Sequence, residues 1–221
     1  MFLTLEGVEG AGKSTLAAHL AARLECAGRV VLRTREPGGC PLGRDIRALL
    51  LDCGRAVTPR AELYLFLADR AQHVDEVIRP ALARGEWVLC DRYADSTIAY
   101  QGGGRGMDEG WLQRLNDDAV GGLWPDITFL LDLPERTGLE RAMRRNAESG
   151  LSEKEGRFEA ETLAFHRKVR AAFLARAAEF PARFVTLDAT RTPEELADAA
   201  WAELARRENG TGTLFPASCR A

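Results

Sequence analysis

Residues 7 to 14 read Gly7-Val8-Glu9-Gly10-Ala11-Gly12-Lys13-Ser14, a complete Gly-x-x-x-x-Gly-Lys-Ser run that follows the apolar stretch Phe2-Leu3-Thr4-Leu5. Few sequence features constrain a fold more tightly. The glycines let backbone N–H groups turn inward toward anionic oxygens, the lysine supplies a point charge to the outer phosphates, and the serine hydroxyl is a ligand for magnesium. The loop must therefore join a strand to a helix whose positive end faces the anion. The sequence obliges: after Thr15, Leu16, Leu20 and Leu24 recur at helical spacing beside Ala17 and Ala21, and Gly28 stands where a helix would end. Gly7 through Thr15 are the expected nucleotide-binding stretch, and the loop alone says nucleotide without saying which reaction.

The rest of the chain alternates short apolar runs with longer helical patterns. Runs at 29–34, 87–90, 127–133 and 184–187 predict four further strands. Between them the spacing predicts helices over 42–51, from Thr58-Pro59 to near Gly85 with Pro80 interrupting, and over 110–120. Thr192-Pro193-Glu194-Glu195 is a capping box that opens a last helix through Leu204. This is an α/β pattern: a parallel sheet of about five strands flanked by helices on both faces. At 221 residues one domain is expected, spanning 1–208, with 209–221 a frayed tail. Residues 141–157 are crowded with charges and read as a mobile surface loop. A balance of 30 basic against 33 acidic residues gives no global attraction to nucleic acid or to anionic membranes. No apolar stretch approaches a membrane span and no leader pattern opens the chain, so a cytoplasmic protein is expected. The five cysteines lack any Cys-x-x-Cys pair and are read as thiols.

In a doubly wound sheet, ligands bind beyond the carboxyl ends of the strands. There the sequence sets Glu9 after the first strand, Arg35-Glu36-Pro37-Gly38-Gly39 after the second and Asp91-Arg92-Tyr93 after the third. Asp91 is placed either to organise magnesium beside Ser14 or to pair with a neighbouring arginine. Arg35 and Arg92 offer forked donors to a second phosphate. Phe66 and Arg70, four apart on the long helix, share one face. Together they suit a planar base, one stacking and the other donating to a ring carbonyl; singly, Phe66 suits a core and Arg70 a surface ion pair.

Three stretches together resemble the thymidylate kinase family: Arg35-Glu36-Pro37-Gly38-Gly39, the segment from Phe66 to Asp69-Arg70-Ala71-Gln72-His73, and Asp91-Arg92-Tyr93-Ala94-Asp95-Ser96-Thr97-Ile98-Ala99-Tyr100-Gln101. The likeness runs from Phe2 to about Ala205. It implies the nucleoside monophosphate kinase form of the phosphate-loop NTPase fold with a lid over about 141–158, and transfer of phosphate from ATP, with magnesium, to dTMP. By the same resemblance Glu9 takes the sugar 3′-hydroxyl, Arg35 and Arg92 hold the acceptor phosphate, Pro37 lies beside them, and Phe66 stacks on thymine. Arg70 then donates to the base, and Ser96, Thr97, Tyr100 and Gln101 complete the pocket. Lys13, Asp91 and Arg92 would serve catalysis, with Ser14 and Asp91 on the metal.

Some family members carry a catalytic arginine in the phosphate loop after the acidic residue. Here that position is Gly10, so the resemblance sends the search to the lid, where Arg141, Arg144, Arg145 and Arg157 are candidates and Arg157-Phe158-Glu159 resembles the end of the lid motif. Gly156 replaces the usual aspartate before that arginine. Cys40 replaces a usual threonine, which suggests an accessible thiol near the acceptor site, and Arg44 replaces a usual glutamate. A homodimer is implied as well. Competing readings are a kinase for another deoxynucleotide or a deoxynucleoside, which would have no use for two acceptor-phosphate arginines, and a nucleotide-dependent switch. A guanine-reading switch would carry Asn-Lys-x-Asp, and Asn116-Asp117-Asp118 does not supply it.

Overall fold

A computed structural model describes residues 1–52, 54, 56–149 and 157–209. The first strand, β1 (Phe2–Glu6), is buried along its whole length and sits at the centre of a five-stranded sheet. It feeds through the phosphate loop into α1 (Lys13–Cys26), which returns to β2 (Val31–Arg35) at one edge. The chain continues through α2 (Pro41–Leu51), α3 (Pro59–His73), a π-helical turn (Val74–Ile78) and α4 (Arg79–Ala83). Next come β3 (Trp87–Asp91), the short α5 (Ala94–Thr97), a second π-helical segment (Ile98–Gly104) and α6 (Glu109–Val120). The order closes with β4 (Ile127–Asp132), α7 (Glu135–Ser149), α8 (Leu163–Glu179), β5 (Phe184–Asp188) and α9 (Pro193–Asn209).

All strands are parallel in the order β2-β3-β1-β4-β5, the expected α/β architecture. Because successive side chains alternate between sheet faces, Leu3, Leu5 and Leu89 join one core with α1 and α9, while Phe2, Val88 and Cys90 join another with Val74, Ile78 and Ala81. The connection leaving β1 runs to one side, toward β2, and the one leaving β3 runs to the other, toward β4. The crevice between their carboxyl ends is thus the switch point where such sheets bind ligands. Register pairs Leu5 with Asp91, so the phosphate loop and Asp91-Arg92 emerge side by side.

Several sequence expectations need correcting. Strand β2 starts two residues later than predicted and runs on to Arg35, because Arg35 pairs with Asp91. The helix expected from 58 to 85 divides into α3, the π turn and α4. Pro80 lies in the first turn of α4, and the wider π turn before it contains Glu76, whose carbonyl a proline at 80 would crowd in a regular helix. The largest correction concerns 141–157. Residues 141–149 are not loop but the second half of α7, while 150–156, including Gly150, Ser152 and Gly156, lie outside the described residues. The face that α7 buries is Gly138, Ala142 and Asn146, four apart, which is helical spacing without hydrophobic residues. No helix was expected at α8, although Thr162 caps it and Phe165, Val169 and Phe173 recur every four residues on its buried face. Helix α9 runs past Leu204 to Asn209, and the tail expected from 209 lies, beyond that residue, outside the described residues.

Candidate active site

The phosphate loop wraps the N-terminus of α1. Gly10 and Gly12 adopt left-handed backbone angles, φ +68° and +95°. A Cβ on Gly10 would lie 2.1 Å from the carbonyl oxygen of Gly138 in α7, and one on Gly138 would lie 2.5 Å from the carbonyl oxygen of Glu9. The loop and α7 therefore meet backbone to backbone, and an arginine at position 10 has no room with α7 so placed. Lys13 donates to the carbonyls of Gly7 (3.1 Å) and Val8 (2.8 Å), bent back over the loop it serves. Burial, then the neighbouring Arg92, lowers its ammonium to about 8, so an arriving polyphosphate meets a cation whose charge it would stabilise.

Ser14 donates to Oδ2 of Asp91 at 2.6 Å. A hydroxyl and a carboxylate held together at the end of β3 are hard oxygen donors suited to magnesium, which takes few protein ligands and fills its shell with phosphate oxygens and water. Among the described residues no group of three or more His, Cys, Asp and Glu gathers into an all-protein metal cage. The donor set fits a nucleotide-borne magnesium.

Arg92 follows with φ +68°, a strained angle for a residue with a side chain, at the point where the chain leaves β3. The turn aims its guanidinium at Gly7 O (2.9 Å), Ser96 Oγ (3.3 Å) and Glu9 Oε1 (3.1 Å), with Tyr100's ring 4.9 Å away. Glu9 also accepts from the Tyr100 hydroxyl and lies 3.4 Å from His166 Nδ1. Burial pushes the Glu9 carboxyl up, but Arg92 foremost, with His166, Lys13 and Tyr100, outweighs it and holds the group well below the usual carboxylate range. Glu9 is an ionised acceptor whose buried Oε2 has the His166 contact but no close hydrogen bond. Behind it Glu6, at the end of β1, accepts from the N–H groups of Tyr93 (2.8 Å) and Ser96 (3.2 Å) and from Ser96 Oγ (2.6 Å), fixing the start of α5. Its complete burial, then Asp95, raises it to about 7.

These groups face one cavity of about 540 Å³. Its wall takes in Glu9, Gly10, Gly12, Lys13, Ser14 and Thr15 from the loop and α1, and Arg35, Pro37, Phe66 and Arg70 from β2 and α3. Asp91, Arg92, Ser96, Thr97, Tyr100 and Gln101 come from β3 onward, and Arg141 and Arg145 from α7. Gly7, Val8 and Ala11 belong to the same loop but do not line the cavity. Phe66 and Phe158 face each other across the cavity at 6.1 Å. Arg70, expected either at a base or in a surface pair, is buried instead in an ion pair with Glu36 (2.8 Å) while still lining the wall.

The four candidate lid arginines separate. Arg141 donates to Ala189 O (3.2 Å) and Arg145 reaches Asn146 and Glu159, both from the cavity wall. Arg144 is exposed on α7 beside Glu148. Arg157 turns away: it donates to Leu50 O (2.9 Å) and pairs with Glu62, and it is not part of the cavity lining. Glu62, fully buried, also accepts from Gln101 (2.9 Å) and Arg105 (3.1 Å). Cys40 is buried rather than accessible, its Sγ accepting from Gly43 N–H at the start of α2, and burial raises its thiol. Cys26, Cys40 and Cys90 are thiols as expected, while Cys53 and Cys219 lie outside the described residues. Sequence reasoning missed Glu6, Glu62 and His166, which no motif marks; Glu36 and Asn116 were in view, but only as parts of other patterns.

A glycine-rich phosphate loop, a hydroxyl–carboxylate pair for magnesium and a second arginine-lined subsite across one crevice define a phosphate-loop phosphotransferase. Comparison with known proteins narrows the class. The family model for thymidylate kinase matches residues 5–200. The chain is 59% identical over 202 residues to a thymidylate kinase of Solidesulfovibrio magneticus, covering 91% of this chain and 97% of that one. It is 55% identical over 215 residues to one from Desulfovibrio desulfuricans (95% and 99%) and 56% identical over 201 residues to one from Thermomicrobium roseum (91% and 92%). The chain belongs to the thymidylate kinase family.

Proposed function

We propose that the chain converts dTMP to dTDP by in-line transfer of the γ-phosphoryl group of ATP, with each subsite as assigned below. Thymidylate kinase activity itself goes with family membership. The observation that carries the assignment is the single cavity in which the Lys13 and Ser14 end of the loop lies opposite Arg35, Phe66 and Arg70. Lys13 and the loop N–H groups bind the donor phosphates, and Ser14 and Asp91 would hold a magnesium ion, which would supply positive charge to the phosphates. Arg35 and Arg92 orient the acceptor phosphate, Pro37 closes that corner, and the ionised Glu9 accepts from the sugar 3′-hydroxyl. Phe66 stacks on thymine, Arg70 donates to a ring carbonyl, and Ser96, Thr97, Tyr100 and Gln101 complete the pocket. An acceptor phosphate is already ionised near neutral pH, so no general base is required. Charge on the moving group falls to Arg141 and Arg145, which line the cavity, rather than to Arg157, which does not. Residues 1–208 act as one domain in which α7 presents Arg141 and Arg145 to the reacting groups, and the protein works as a homodimer in the cytoplasm; no described helix is long and apolar enough to cross a membrane.

The test is a coupled ADP-release assay across dTMP, dUMP, UMP, CMP, AMP and thymidine. Turnover is expected with dTMP and, weakened by loss of one methyl contact worth about 1 to 3 kcal/mol, with dUMP. Turnover of thymidine, or equal turnover of all monophosphates, overturns the reading.

A further inference from the structure

Arg70 is held by an unusually complete set of partners. Its Nε donates to Glu36 Oε2 (2.8 Å), its Nη1 to Thr97 Oγ1 and Asn116 Oδ1 (both 2.8 Å), and its Nη2 to the Tyr93 carbonyl (3.0 Å). A guanidinium has five N–H donors, so these four leave one, on a group that lines the cavity. The direction of that last donor depends on what grips the other four.

The grip does not end at Glu36. Its second oxygen, Oε1, lies 3.0 Å from His73 Nδ1, and His73 Nε2 lies 2.6 Å from Thr34 Oγ1. An ionised carboxylate only accepts, so Nδ1 carries the proton, and in the neutral ring Nε2 then accepts from the threonine hydroxyl. Arg70, Glu36 and His73 are all buried. The chain of bonds runs from β2 through the loop after it to α3, where Arg70 and His73 are three apart and so share a face. Gly39 belongs to the same construction: a Cβ there would fall 2.3 Å from His73 Nε2 and 2.6 Å from Thr34 Oγ1.

We propose that Glu36 and His73 are positioning residues for base recognition, Glu36 gripping Arg70 at Nε and His73 locking Glu36 to Thr34, so that the one remaining guanidinium donor meets a ring carbonyl of the acceptor base. This rests on the reading of Arg70 as the base donor. The arrangement selects a base with an acceptor at that ring position: a clamped guanidinium cannot rotate an acceptor into place for an amino group, since it has none. Burial makes the grip strong, because side chains only 2% exposed have little access to water as an alternative partner.

The experiment uses E36Q, H73F and R70K in the full chain, each checked for a cooperative thermal transition. Steady-state constants are measured for ATP, for dTMP and for the 5-methylpyrimidin-2-one deoxynucleotide monophosphate, which lacks the 4-carbonyl. For E36Q and H73F, KM for dTMP is expected to rise about tenfold, the loss of one charge-assisted hydrogen bond, with kcat, the KM for ATP and the KM for the analogue little changed. A parallel rise for dTMP and the analogue, or no rise for either, overturns the proposal. R70K separates the two layers: if it fails to narrow the gap between dTMP and the analogue, Arg70 is not the base donor. If R70K narrows the gap and neither E36Q nor H73F does, the positioning role alone is wrong. Should E36Q lose its transition, H73F, which keeps the Glu36–Arg70 pair, decides.

Discussion

Arg70 on one wall of the cavity and Arg145 on the other show the same side chain used in two opposite ways. The Arg70 side chain is 2% exposed, paired with a Glu36 that is equally buried, and committed at four donors before any ligand arrives. Arg145 is 60% exposed on α7 and meets Asn146 and Glu159 through longer contacts. A buried cation held at four of its five donors is rigid and discriminating, and removing either partner strands the other charge. An exposed one contributes little to stability and stays available to a charge that develops only during reaction. The Arg70 wall is thus finished by folding, whereas the α7 wall keeps a cation available.

That contrast can be broken by experiment. The largest effect belongs to the α7 wall: R145A, combined with R141A, is expected to lower kcat by about 10³-fold or more, while the unfolding free energy changes by no more than about 0.5 kcal/mol. Retained turnover, or a large stability loss, would erase the distinction. Next comes R70A, which leaves Glu36 buried without its cation and should cost about 3 to 5 kcal/mol in urea unfolding as well as affinity for dTMP. A stable R70A protein with a pure KM defect would mean the wall is less fixed than its bonds suggest. The smallest effect tests how deep the fixed wall extends. Glu6 has its carboxyl raised from an ordinary 4.5 to about 7, so the folded state holds a proton more tightly than the unfolded chain, and stability falls as pH rises through that interval. E6Q should flatten that fall, gaining about 1 to 3 kcal/mol relative to wild type at pH 8 compared with pH 5. Parallel stability curves for the two proteins would show that Glu6 is solvated.

The parts of the site legible in the sequence were those whose chemistry is local. The loop from Gly7 to Ser14 carries its own turn geometry and its own ligands, and Asp91-Arg92 follows a short continuous apolar run that marks a buried strand. Helix α7 escapes the hydrophobic pattern because its buried face is Gly138, Ala142 and Asn146, with no large apolar side chain, and Gly138 and Ala142 approach the loop backbone at Gly10. Arg157 was ranked beside Arg145 because both are arginines in one charged segment. Only the distance to Leu50 and Glu62 tells them apart.

By itself the sequence determined a strand–loop–helix that holds phosphates, a parallel α/β sheet around it and the family to which the chain belongs, because backbone preference and side-chain chemistry act over a few residues. The tertiary structure decided which charges are spent and which are available. Thr34 and Glu36 lie at least 34 residues along the chain from Arg70 and His73, yet the four pack into one bonded line, and Gly10 proves to be small because Gly138 sits against it. Desolvation and close backbone contact are properties of assembled elements, and no spacing in the chain encodes them.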